Sequence, residues 1–62
     1  MCDLKVYVRS NEREELVLEA VNQIRIEGGD VLIRNLFGEE KRVRGELKEV
    51  SLTKNRAVVE ST

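Results

Sequence analysis

The chain has 62 residues, among them 11 Lys or Arg, 12 Asp or Glu, one Cys and no His, for a formal charge of -1. That length excludes a multidomain enzyme and leaves one small module, taken as a single domain over residues 1–62. One Cys without His also excludes a zinc cluster or a disulfide framework, so self-association is the remaining way to supplement a small core.

Leu4, Val6 and Val8 alternate with Lys5, Tyr7 and Arg9, the period of a half-buried strand. Ser10 to Arg13 is a polar break, and Leu16 and Leu18 then alternate with Glu15, Val17 and Glu19. A helix competes over residues 12–24: Leu16, Val17, Ala20, Val21 and Ile24 follow a helical stripe, and Asn11 with Glu14 has capping-box spacing. The β-branched content up to Ile26 and the nearness of Gly28 favour strand. Ile24 and Ile26 lead into Gly28, Gly29 and Asp30, and Val31 to Arg34 returns, which is the signature of a hairpin. It is not a phosphate loop, because the lysine and helix that complete one are missing.

Leu36 and Phe37 precede Gly38, and the sole Phe is expected to fill the core or cap a barrel end. Lys41 to Arg44 is a short charged strand with Val43 inward, and Gly45 permits a bend or bulge. Val50 and Leu52 share a phase that Leu47 joins only through a shift or from the opposite face. Lys54 to Arg56 turns the chain into a closing strand, Ala57 to Val59. The fold expected is mainly β: a small antiparallel β-barrel, or a strongly curved sheet, of six to seven short strands. Tyr7, Val17, Leu32 and one of Val58 or Val59 fall off the phase of the main core set, and such a second apolar face fits a homodimer.

No apolar run exceeds three residues, as at Val31 to Ile33, so neither a membrane helix nor a secretory signal is expected. A cytoplasmic protein with a reduced thiol follows. The near-balance of charge gives no general pull toward a polyanion, although Lys41, Arg42 and Arg44 could touch phosphate. Enzymatic chemistry finds little support: a Ser or Cys nucleophile would lack a His base, and the acids are interleaved with Lys and Arg as on a solvated face.

Cys2 stands apart by position. Removal of Met1 would leave an amine and a thiol on one residue, which after deprotonation chelate a soft or borderline metal in a five-membered ring. Sulfur and nitrogen donors in a square plane suit Ni(II) or Cu(II). One chain supplies too few side-chain ligands, whereas two chains joined near their N-termini would supply two sulfurs and two nitrogens. Asp3 is a weaker candidate donor. A lone Cys can equally be a small apolar packing residue.

Met1-Cys2, the run Ile24 to Val31, the stretch Asn35 to Lys41 and the segment Gly45 to Leu52 together resemble the CooT family of small carbon monoxide dehydrogenase accessory proteins, which is associated with nickel handling. The resemblance covers nearly the whole chain. It implies a compact, mainly β homodimer with Ni(II) shared between two chains at Cys2, and a nickel enzyme as partner. The histidine-rich tail of some nickel chaperones is missing, which argues against bulk nickel storage. Some relatives have been labelled RNA-binding, so a small-barrel RNA-binding or protein-interaction module without a metal role is the alternative. The interrupted basic strip and the scarcity of aromatic residues argue against nucleic acid.

Overall fold

The structure, a computed structural model, describes residues 3–61. Five strands, β1 (Leu4–Ser10), β2 (Arg13–Glu27), β3 (Asp30–Asn35), β4 (Glu40–Ser51) and β5 (Arg56–Ser61), form a closed barrel in chain order. Consecutive strands pair antiparallel, and the barrel closes through a parallel pairing of β1 with β5, from Lys5 beside Arg56 to Arg9 beside Glu60. The mainly β barrel expected from the sequence is present with five strands rather than six or seven. The difference has a simple origin. The segments around Leu16–Leu18 and Ile24–Ile26 are two halves of β2, and Lys41–Arg44 and Leu47–Ser51 are two halves of β4. Each long strand bends without ending and serves two neighbours.

The bend in β2 is a bulge. Leu4 lies opposite Val21 and Val6 opposite Leu18, so β2 spends one residue more than β1 across this interval, and Ala20 there takes a φ of 56 degrees. Beyond Val21 the strand leaves β1 and pairs with β3. The Ala20 carbonyl accepts the Leu36 amide at 3.0 Å, tying the corner to the far end of β3. A helix through this segment would forfeit both ladders, which is why the extended form prevails over the helical stripe.

Gly45 makes the other corner. Residues before it pair with β3, residues after it pair with β5, and its amide donates to the Gly29 carbonyl at 3.0 Å. A Cβ built on Gly45 would lie 2.1 Å from the Glu60 carbonyl oxygen, so no side chain fits where β4 and β5 approach. The expected hairpin turn at Gly28 and Gly29 is present, with φ of 50 and 88 degrees.

Val6, Leu18, Val21, Val31, Ile33, Ala57 and Val59 form the core, flanked by the partly buried Leu4, Val8, Val17, Ile24, Val43 and Leu47. Bulges adjust the phase of the strands to this interior. In β4 one bulge lets Leu47 pair with Val59 and Val50 with Ala57, the phase shift that Leu47 required. In β2 another puts Leu16 opposite Tyr7 and Leu18 opposite Val6, so Leu16 turns outward and is 45% exposed instead of sharing the Leu18 face.

The off-phase apolar residues do not make a continuous open second face, although Leu32 is half-buried and lines an outer groove between β2 and β4. Val58 is buried although Ala57 and Val59 face the core, Val17 packs against the core, and the Arg56 guanidinium covers the Tyr7 ring at 4.8 Å from its centroid. Exposed apolar surface lies elsewhere: Phe37 and Leu52 are each 78% exposed, and Ile26, Leu36 and Val50 are open as well. Phe37 therefore does not fill the core of the single chain, because the turn that carries it projects away from the interior.

Gly45→Ala should cost about 2–4 kcal/mol by forcing β4 from β5, read as a lower urea midpoint. Ala20→Gly should act in the opposite direction. Relief of a left-handed Ala, about 1–2 kcal/mol, exceeds the added chain entropy of Gly, about 0.5–1 kcal/mol, so the midpoint should rise modestly.

Candidate functional site

β1 starts at a rim between two turns. On one side Leu4 pairs with Val21, which pairs in turn with Asn35 at the end of β3. On the other side the Lys5 amide donates to the Asn55 carbonyl at 2.9 Å, fixing the turn that joins β4 to β5. The chain thus enters the barrel through exposed Asp3 between the turn at residues 36–39 and the turn at residues 52–55. Leu36 and Phe37 project from the first turn and Leu52 from the second. Cys2, the expected metal ligand, precedes Asp3 and lies outside the described residues.

The turn after β3 is built around Asn35, the one buried polar residue among those described. Its Oδ1 accepts the Phe37 amide at 3.0 Å and the Glu39 amide at 2.9 Å, and its Nδ2 donates to Glu39 Oε1 at 2.8 Å. The Asn35 amide donates to the Glu39 carbonyl at 3.0 Å, and the Asn35 carbonyl accepts the Gly38 amide at 3.3 Å. One short side chain replaces the backbone partners that the reversal removes. Phe37 is consequently both exposed and held in a fixed backbone. Sequence reasoning assigned Asn35 no role; the available signal was an Asn directly before Leu-Phe-Gly, a composition suited to an Asx turn.

Among the described residues no three Cys, His, Asp or Glu side chains gather as a metal cage. Asp3 is exposed, and Glu39, in the turn beside the start of β1, is engaged by Asn35. Donors from the described part of one chain therefore fall short of a complete metal shell.

The basic strip is divided. Arg42 and Arg44 lie on the outer face of β4 and share Asp30 at 3.7 and 3.6 Å, whereas Lys41 forms no ion pair among the described residues. On the opposite layer Arg56 pairs with Glu14 while stacking on Tyr7, and its buried Nε has no hydrogen-bond partner. Among the described residues no helix is long and apolar enough to cross a membrane.

A five-stranded closed barrel with a parallel seam, bent long strands and an apolar rim beside its first strand defines a small β-barrel protein. The sequence matches the family described as CO dehydrogenase accessory protein CooT over residues 1–60, and the chain belongs to that family. It is 33% identical over 60 residues to an uncharacterized protein of Methanocaldococcus jannaschii, covering 97% of this chain and 98% of that protein. A crystal structure assigned to CooT from Carboxydothermus hydrogenoformans superposes with a TM-score of 0.87 at 26% identity, covering 98% of each chain. The accessory-protein family and the all-β barrel expected from the sequence are thus both found.

Asn35→Ala should cost about 1–3 kcal/mol, because two backbone amides and the Glu39 carboxylate lose the hydrogen bonds of a buried side chain. Hydrogen exchange resolves the origin: the Phe37 and Glu39 amides should exchange faster than those of β1 and β5.

Proposed function

We propose that the protein is a cytoplasmic accessory factor that holds Ni(II) between the Cys2 residues of two chains and hands it to a nickel enzyme, with carbon monoxide dehydrogenase the client suggested by the family. The observation that carries the reading is the rim: the chain enters the barrel between two turns that expose Leu36, Phe37 and Leu52. Burying those side chains against their counterparts in a second copy is favourable and places two N-terminal segments on the same side of each barrel. Two thiolates and two amines then complete a planar donor set that neither chain provides alone. The metal is cargo. Thiolate and amine donors bind protons in competition with nickel, so affinity falls as pH drops and release is favoured by acid.

Titration of nickel into Met1-processed protein should saturate at one metal per two chains, with a square-planar absorption spectrum. Cys2→Ser should abolish that spectrum and weaken binding by more than tenfold, because a thiolate ligand is lost; unchanged affinity sinks the site. Phe37→Asp tests the rim separately. It should shift the monomer–dimer equilibrium toward monomer by about tenfold or more while the isolated barrel keeps its melting temperature, because Phe37 contributes almost nothing to the core.

A further inference from the structure

The layer formed by the second half of β2, β3 and the first half of β4 carries a groove of about 400 Å³ on its outer face. Its floor includes Leu32, and four cations, Arg25, Arg34, Lys41 and Arg42, border it against one carboxylate, Glu40. The register explains the arrangement: Arg25 on β2 and Arg42 on β4 stand directly opposite Leu32 from its two sides. Neighbouring strands are about 4.8 Å apart, so the two arginines straddle the leucine by about 10 Å. We propose that this groove is a docking site for an acidic segment of a partner protein, with carboxylates on either side of an apolar side chain that rests on Leu32.

Three features favour that occupant. The groove is locally cationic on a chain of formal charge -1, so its charge cannot be a by-product of overall composition. Arg25 donates to Glu27 at 2.9 Å in a solvent-exposed pair, while the other cations are more loosely held: Arg34 meets Glu40 and Arg42 meets Asp30 only at 3.8 and 3.7 Å, and Lys41 has no ion-pair partner among the described residues. An incoming carboxylate can replace such loose, solvent-exposed pairs with a bidentate contact to a guanidinium. Finally, both aromatic side chains of the protein lie elsewhere, Tyr7 under Arg56 and Phe37 on the rim, so the groove has no platform for stacking bases. An apolar floor between cations suits a peptide better than a single-stranded nucleic acid.

The site does not depend on nickel, and its test is kept separate from it. The isotope-labelled protein is titrated with a blocked Glu-Glu-Leu-Glu-Glu peptide, its all-Gln counterpart and poly(U) RNA. Chemical-shift changes at Arg25, Leu32 and Arg42, weakened by added salt and absent with the Gln peptide, are the expected result. Arg25→Glu with Arg42→Glu should weaken binding about tenfold or more, while Arg9→Glu on β1 and Cys2→Ser leave it unchanged. Both groove arginines are exposed, and the spectrum of the double variant reports directly whether the barrel remains folded. No shifts at low salt, equal binding of the Gln peptide, or tighter binding of poly(U) at the same residues would each overturn the proposal.

Discussion

The architecture depends on two strands that turn corners without breaking. At Gly45 the β4 backbone comes so close to the Glu60 carbonyl that no Cβ fits, and at Ala20 an extra residue swings β2 from one neighbour to the next. Because both corners hold, five strands do the work of seven segments, and each half of β2 and β4 has a hydrogen-bonding partner on the layer it joins. The parallel seam between β1 and β5 can then close. Closure matters more here than in a larger protein, since a barrel this small leaves no apolar surface to cover an unpaired edge. The corner at Val21 also places the Asn35 turn beside the start of β1, so the rim and the core share one determinant.

Much of this was legible in residue order. The period-two runs at Leu4–Val8 and Ile24–Ile26 and the Gly28–Gly29 reversal located strands and a hairpin, and Leu47 betrayed a phase change that the β4 bulge supplies. The strand count was not legible, because a bend at an Ala in the left-handed region leaves no mark: residues with a Cβ disfavour that conformation, and tertiary pairing alone imposes it on Ala20. The same bulges hid the outward turn of Leu16, since one inserted residue exchanges the two faces of a strand. The family was recognisable from short stretches along the chain. Cys2 was singled out by its chemistry, but the rim that surrounds the start of β1 was not, because it joins residues near positions 4, 36 and 52 that only the folded topology brings to one side.

Two surfaces of opposite character result. The rim is apolar and tied to a rigid turn, suited to a partner that shares its shape; the β3 groove is charged and fringed by long, mobile side chains, suited to a partner recognised by charge. Rigid aromatic anchors tend to dominate the free energy of an interface, whereas exposed charges mainly accelerate encounter and select among partners. The proposed carrier role, which requires cargo to be held in one complex and surrendered in another, is served by having both kinds of recognition on one small barrel.

The parallel seam has a consequence for how the protein is made. Lys5 to Arg9 find their β5 partners only at Arg56 to Glu60, about fifty residues later, so the first strand to leave the ribosome waits for the last before its second edge is covered. The antiparallel β2, β3 and β4 meander joins residues close in sequence and can form while synthesis continues. Closing the barrel is therefore a late event, and until then Leu4, Val6 and Val8 lack the core contacts with β5 that hold β1 in place.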